Sequence, residues 1–283
     1  MFRVIRPPAA MAKAAAGWQR KRRSVGVVPT MGALHEGHLS LIRAARADND
    51  IVVVTVFVNP LQFGPQEDLR RYPKPFARDV KLARAAGADV VFAPSAGQLY
   101  PGGFQTRVEV SEVTRRWEGA SRPGHFRGVA TVVALLFELT RPTRAYVGQK
   151  DYQQVLVIDH LIRDLRLPVT LRMLPTVRED DGLAMSSRNA YLSPTQRRQA
   201  AGLWRALDQA GARIRTGERH AAPVLDQLRR AVSEIPGSRI DYVAVADART
   251  LEPVWRLRGR VAVLLAVWLG TTRLIDNILV DVP

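Results

Sequence analysis

In Val25-Gly26-Val27-Val28-Pro29-Thr30-Met31-Gly32-Ala33-Leu34-His35-Glu36-Gly37-His38 an apolar run gives way to a glycine-punctuated loop and then to two histidines three apart. The run Val25 to Val28 reads as a buried strand, and Leu39, Leu41, Ile42 and Ala45 recur at helical spacing behind the loop. Ile51 to Val58 is a second apolar run, so the segment is a strand–loop–helix–strand unit of parallel-sheet type. His35 and His38 can share one face of the helix start. The first N–H groups of a helix and the positive end of its dipole suit a phosphate there. Gly32 and Gly37 let an anion approach the backbone closely. An ordinary loop and helix cap also look like this, and it is a second phosphate-type motif downstream that turns the reading towards function.

A chain of 283 residues can hold one large domain or two. Its apolar fraction of 47% and charged fraction of 24% are those of an ordinary soluble protein. The absence of cysteine excludes disulfides, thiolate catalysis and Cys-ligated zinc, and fits a reducing compartment. The formal charge of +16 is extreme, yet only five of the 42 basic residues are lysine: Lys13, Lys21, Lys74, Lys81 and Lys150. The arginines are scattered apart from the run Arg20-Lys21-Arg22-Arg23, so they read as a surface that attracts anionic substrates rather than as a nucleic-acid footprint. The longest apolar run, Val261 to Leu269, has strand length and cannot cross a bilayer. Without a signal-type apolar core, the N-terminus reads as a strand, Phe2 to Ile5, and a helix, Ala9 to Arg20. The expectation is a cytoplasmic protein with no membrane partner.

Farther along, Pro60 stops the second strand and leaves Asn59 and Gln62 at the carboxyl edge of the sheet, where open parallel sheets bind ligands. Gln62 can hydrogen-bond a hydroxyl or carboxylate there. A helix over Ala77 to Ala86 carries Asp79 in its first turn, a position where a carboxylate is often a cap. Asp89 to Phe92 is the next strand. Glu118 to Gly128 is a polar, glycine-rich loop bearing Arg122, His125 and Arg127 ahead of an apolar helix, Val129 to Leu139. An anion site and a loop packed by salt bridges would both read this way. The strand Arg144 to Gly148 runs into Gln149-Lys150-Asp151, again phosphate geometry with Lys150 as a point charge, although the spacing is not that of a P-loop. Gln154 lies one helical turn beyond Lys150. After a strand over Val169 to Leu174 the chain loses regularity from Pro175 to Asp181, which divides it into residues 1–176 and 177–283. Ser186-Ser187-Arg188 offers two hydroxyls and a guanidinium fork to phosphate oxygens. Two amphipathic helices between Pro194 and Glu234, then strands near Ile240 to Ala246, Val261 to Leu269 and Leu274 to Val280, make an α+β second domain.

These motifs suit a triphosphate beside a polar acid, since transfer at phosphorus needs positioning and charge compensation more than covalent help. The sequence resembles the pantothenate synthetase (pantoate–β-alanine ligase) family over nearly its whole length. The segments that carry the resemblance are Val28-Pro29-Thr30-Met31-Gly32 through His38, Phe57-Val58-Asn59-Pro60 through Phe63, and Glu118-Gly119 with Arg122-Pro123-Gly124-His125-Phe126. Gly148 through Gln154, Met185-Ser186-Ser187-Arg188-Asn189, and Trp268-Leu269-Gly270 with Arg273-Leu274-Ile275-Asp276-Asn277 complete it. The resemblance implies an α/β fold: a Rossmann-like parallel-sheet nucleotide-binding domain with a smaller α+β C-terminal domain as a lid, usually in a homodimer. It implies that pantoate attacks ATP in the presence of Mg²⁺ to give pantoyl adenylate and pyrophosphate, and that β-alanine then yields pantothenate and AMP.

Carried over by motif, Met31, Gly32, Ala33, Leu34, His35, Glu36, Gly37 and His38 bind ATP, with His35 and His38 at the reacting phosphate and His38 as proton donor. Gly148, Gln149, Lys150, Asp151, Val177, Met185, Ser186, Ser187 and Arg188 hold nucleotide and phosphates, with Lys150 and Arg188 neutralising charge. Gln62 and Gln154 hold pantoate. Asn59, Tyr72, Glu118 and Arg122 line the pocket, and Asp79 helps hold Mg²⁺. Two features depart from the family pattern: Gln149 stands where many members carry glutamate, and the chain is unusually basic. One rival is another His-x-x-His nucleotidyl-transferring enzyme, such as a class I aminoacyl-tRNA synthetase fragment, which the short C-terminal domain and the Ser-Ser-Arg loop oppose. The other is an inactive nucleic-acid-binding protein, whose binding would weaken steeply with salt.

Overall fold

Six strands pair in parallel to form the larger sheet of the computed structural model, which describes residues 2–65 and 67–283. They are β1 (Arg3–Ile5), β2 (Val25–Thr30), β3 (Ile51–Val56), β4 (Val90–Phe92), β5 (Arg144–Gly148) and β6 (Thr170–Leu174). Their order is β1-β4-β3-β2-β5-β6, with every pair parallel. Helices cover such sheets on both faces, so central strands carry uninterrupted apolar runs instead of alternation. Val27 shows this: it pairs with Val53 on one side and Ala145 on the other, and all three are fully buried. The chain leaves β2 for β3 in one direction and returns to β5 on the opposite side. The carboxyl ends of β2 and β5, at Thr30 and Gly148, therefore flank a topological switch point, the usual ligand position in an open α/β sheet.

The helices are α1 (Pro8–Arg20), α2 (Glu36–Asp48), α3 (Phe76–Ala85), α4 (Ala96–Leu99), α5 (Glu118–Ser121), α6 (His125–Thr140) and α7 (Tyr152–Asp164). Helix α2 packs on β2 and β5, and α6 packs on β2, on α1 and on the 3₁₀ turn Pro60–Gln62. The apolar helix expected from Val129 begins four residues earlier, at His125, and the loop before it contains the short α5. The reason is Gly124, whose φ of +82° makes the left-handed turn into α6 without a Cβ penalty. Gly128, read as loop punctuation, sits inside the helix, because a Cβ there would fall 2.2 Å from the Leu61 carbonyl oxygen.

By contact the chain divides into two units, Met1–Gly148 with Gln154–Pro175, and Gln149–Gln153 with Thr176–Pro283. The short segment Gln149–Gln153, inside the first domain on the sequence reading, groups with the second unit. Hydrogen bonds explain this: Asn277 donates to the Gln149 and Lys150 carbonyls, and the Tyr152 hydroxyl donates to the Ala248 carbonyl at 2.6 Å. In this unit α8 (Pro194–Arg215) and α9 (Ala221–Ser233) accompany an antiparallel sheet, β7 (Ser238–Asp247), β8 (Arg260–Leu269) and β9 (Thr272–Asp281), in that order. Ser193 and Gln196 form a capping box at the start of α8, with Pro194 at its first position. Leu203, Leu207 and Ile214 of α8, Val224 and Leu228 of α9, and Val263 and Leu265 of β8 form its core.

The Gly128 contact yields a stability prediction. Gly128→Ala should force α6 away from the Pro60–Gln62 turn and destabilise the protein by about 3 kcal/mol. Urea unfolding followed by circular dichroism would show the lowered midpoint.

Candidate active site

At the carboxyl end of β2, Thr30 folds the chain back. Its hydroxyl donates to the Thr55 carbonyl at 2.6 Å and accepts the Gly32 N–H at 3.1 Å. Gly32 and Ala33 both adopt positive φ, +88° and +51°. Asp79, fully buried in the first turn of α3, accepts the Ala33 N–H on one oxygen at 2.9 Å and the Leu34 N–H on the other at 2.8 Å. The carboxylate put forward as a magnesium ligand braces this loop.

His35 begins α2, and its N–H donates to His38 Nδ1 at 3.3 Å. That nitrogen must then be unprotonated, so the neutral His38 ring carries its proton on Nε2 and is a donor there. The two rings lie 4.1 Å apart between centroids.

The Pro60–Gln62 turn is built from buried polar contacts. Asn59 donates from Nδ2 to Gln62 Oε1 at 3.0 Å and to the Gly128 carbonyl at 3.1 Å. Its Oδ1 accepts the Leu61 N–H at 3.2 Å and the Tyr100 hydroxyl at 2.8 Å. Two donors and two acceptors find partners within the protein, so Asn59 braces this turn. It also fixes the Gln62 amide: with Oε1 held as acceptor, Nε2 lies 3.3 Å from Met31 Sδ.

Arg122 is committed in the same way. Its Nε and Nη2 each donate to a different oxygen of Glu67 at 2.7 Å, a bidentate pair. Nη2 also reaches the Gln62 carbonyl at 3.3 Å, while Nη1 lies 3.1 Å from His125 Nε2 and 4.0 Å from Glu118. Burial pushes the Glu67 carboxyl up, but the Arg122 bonds and charge outweigh it and hold that group below the usual carboxylate range. His125 Nδ1 lies 2.8 Å from the Gln62 carbonyl. A carbonyl only accepts and a guanidinium only donates, so His125 must be neutral with its proton on Nδ1. Burial first, then the Arg122 charge, lower its pKa to about 4. Glu67 had no role in the sequence reading and His125 only that of a member of an anion site or salt-bridged loop, because the partners that define them lie 55 and 63 residues away. Tyr72 is buried against Phe63, and Gln154 is half-buried in the first turn of α7.

In the second unit, Lys150 lies in the 3₁₀ turn Gln149–Asp151 with Nζ 3.7 Å from Asp151 Oδ1. Val177 and Met185 face each other in a hairpin, the Met185 N–H donating to the Val177 carbonyl at 3.0 Å. The Ser186–Arg188 segment leaves that hairpin, with Ser186 Oγ accepting the Arg188 N–H at 3.3 Å. Asn189 braces it by donating to Glu179 at 2.9 Å and to the Ala184 carbonyl at 3.1 Å. Among the described residues no group of three or more His, Asp or Glu side chains forms a metal cage.

The pantoate-beta-alanine ligase family model matches residues 3–279. A pantothenate synthetase of Moorella thermoacetica is 54% identical over 279 residues, covering 99% of both chains. One of Thermotoga neapolitana is 49% identical, covering 98% of this chain and 99% of its own. The crystal structure of a Thermus thermophilus pantothenate synthetase superposes with a TM-score of 0.93 at 47% identity, covering 98% and 99% of the two chains. A Francisella tularensis pantoate-beta-alanine ligase, solved with beta-gamma ATP and beta-alanine, gives a TM-score of 0.82 at 34% identity and covers 99% and 98%.

The buried histidine makes stability pH-dependent. In the unfolded chain His125 takes up a proton near pH 6.5, whereas in the folded chain it does so only near 4. Between those values the unfolded state binds more protons, so stability falls as pH falls, by on the order of 3 kcal/mol across the window. Urea midpoints measured from pH 7 to 4 should show this decline. His125→Asn, which keeps a donor towards Gln62 but does not titrate, should flatten it.

Proposed function

This chain belongs to the pantoate-beta-alanine ligase family, and on that premise we propose that it joins pantoate to β-alanine at the expense of ATP through a pantoyl-adenylate intermediate. The observation that carries the reading is Gln62 Nε2 against Met31 Sδ at 3.3 Å. It brings the amide suited to an acid substrate up to the loop suited to a nucleotide, at the switch point of one sheet.

In the first step a pantoate carboxylate oxygen attacks the α-phosphorus. A P–O bond forms, the bond to the bridging oxygen breaks, and pyrophosphate leaves with the electron pair. Gln62 and Gln154 orient the acid. His38, with its ring proton on Nε2, donates a hydrogen bond to an oxygen that gains charge, with His35 beside it. Met31 to His38, Gly148 to Asp151, Val177 and Met185 to Arg188 bind ATP, and Lys150 and Arg188 compensate phosphate charge. In the second step the β-alanine nitrogen attacks the acyl carbon. The C–O bond to the phosphate breaks, AMP leaves with the pair, and the new amide nitrogen sheds a proton. Residues 1–176 act as the ATP- and pantoate-binding domain and residues 177–283 as the smaller domain.

Mg²⁺ belongs to this reading only as a companion of ATP. Asp79 accepts one backbone N–H on each oxygen and would help hold the ion with its remaining lone pairs, and the described residues form no group of three or more His, Asp or Glu side chains that could cage it alone. Resemblance also supports a homodimer working in the cytoplasm. No helix among the described residues is long and apolar enough to cross a membrane.

ATP–pyrophosphate exchange with D-pantoate and Mg²⁺, β-alanine left out, tests the adenylate step. Exchange that requires pantoate is expected; exchange with an amino acid instead, or none with any acid, would overturn the reading. His38→Ala and Lys150→Ala should each slow it by about 10²- to 10³-fold. Near-normal rates in both variants would remove the site assignment.

A further inference from the structure

Arg273-Leu274-Ile275-Asp276-Asn277 is a motif to which the reaction assigns no residue. It lies on β9, an edge strand of the three-stranded sheet, and Asp276 and Asn277 are both buried there. Asn277 Nδ2 donates one hydrogen to the Gln149 carbonyl at 3.0 Å and the other to the Lys150 carbonyl at 2.9 Å. Its Oδ1 accepts from Gln149 Nε2 at 3.3 Å, and its backbone N–H donates to Asp276 Oδ1 at 2.8 Å. Asp276 receives the Arg178 guanidinium in two bonds, Nη1 to Oδ2 at 2.6 Å and Nη2 to Oδ1 at 3.1 Å. Arg178 also donates to the Gly182 carbonyl at 3.0 Å, and its guanidinium lies 3.7 Å from the Trp204 ring centroid. It therefore locks the hairpin that runs from Val177 to Met185 and leads into Ser186–Arg188.

We propose that Asp276 and Asn277 are positioning residues for the nucleotide: Asn277 fixes the turn that aims Lys150, and Asp276, through Arg178, fixes the hairpin that carries Val177 and Met185–Arg188. The proposal rests on the assignment of those two segments to ATP. The chemistry at 277 is demanding. Two adjacent carbonyl oxygens in a buried place need a donor with two hydrogens on one atom, and a primary amide supplies it. Aspartate has the same shape but presents an acceptor to two acceptors, and serine can satisfy only one of them. Neither residue touches the reacting atoms; each acts through the segment it holds.

The test uses the full-length chain and variants N277D, N277S, K150A and N277D/K150A. KM for ATP is read in pantoate-dependent pyrophosphate exchange, KM for β-alanine in the complete reaction, and the ATP-induced rise in melting temperature without any acid. N277D should raise KM for ATP by about 10- to 100-fold, the change expected when buried carbonyls lose their donors, and leave KM for β-alanine within about twofold. N277S should fall between N277D and the unsubstituted chain. N277D/K150A should be no worse than K150A, because Asn277 acts through Lys150. An unchanged KM for ATP in N277D, full additivity with K150A, or an equal rise in the KM of every substrate overturns the proposal. If N277D does not fold, N277S decides alone, and a KM for ATP within twofold of the unsubstituted chain sinks the idea. Failure of the pantoate reading is separable: exchange is then absent in the unsubstituted chain, and the thermal shift takes over as readout. A shift diminished in N277D supports the positioning role, while an equal shift in both proteins, or none in either, overturns it.

Discussion

Asp79 holds the carboxyl edge of the first unit's parallel sheet in shape. A buried carboxylate with one backbone N–H on each oxygen fixes both the direction and the depth of the loop after β2. Ala33 lies in the left-handed region, which costs a non-glycine residue on the order of 1 kcal/mol or more. Hydrogen bonds to an ionised acceptor contribute roughly 1.5–3 kcal/mol each, so the brace outweighs the strain. With the loop pinned, α2 starts at a defined place, and the two imidazoles inherit a defined orientation.

The same device recurs with different chemistry. The side chains proposed to bind substrate are not left to find their own rotamers; buried polar groups behind them settle the matter. Asn59 decides which end of the Gln62 amide faces Met31. Arg122, itself held by Glu67, and the neutral His125 both donate to the backbone carbonyl of the same glutamine. Asn277 does for the Lys150 turn what Asn59 does for the Gln62 turn. Each of these groups would be costly to bury alone, and each is tolerated because its partners are complete.

The parallel sheet was readable from the sequence because strands buried on both faces leave uninterrupted apolar runs; β5 spans the same residues, Arg144–Gly148, on either view. The start of α6 was not, because Gly124 and Gly128 punctuate like a loop, and only the packed Leu61 carbonyl explains why one of them sits inside the helix. At the site, residue types and spacing pointed to phosphate chemistry at two strand ends. The roles of Asp79, Asn59 and Arg122 were out of reach, since their partners lie 45, 69 and 55 residues away in the chain. Local pattern reports what a residue can do, whereas distant partners decide whether it is already occupied.

The bond from Asn277 to the Lys150 carbonyl spans 127 residues. During synthesis at ~5–20 residues per second, the Lys150 turn leaves the ribosome roughly ten seconds ahead of the amide that fixes it. The parallel strands that precede that turn can pair in the interval, but the turn itself has to wait for β9. Successive residues of a strand face opposite ways. A one-residue slip of β9 against β8 would turn both Asp276 and Asn277 away from their partners at once. Correct pairing of that late strand is therefore a precondition for an aimed Lys150, and a nascent or misregistered chain lacks the finished cradle.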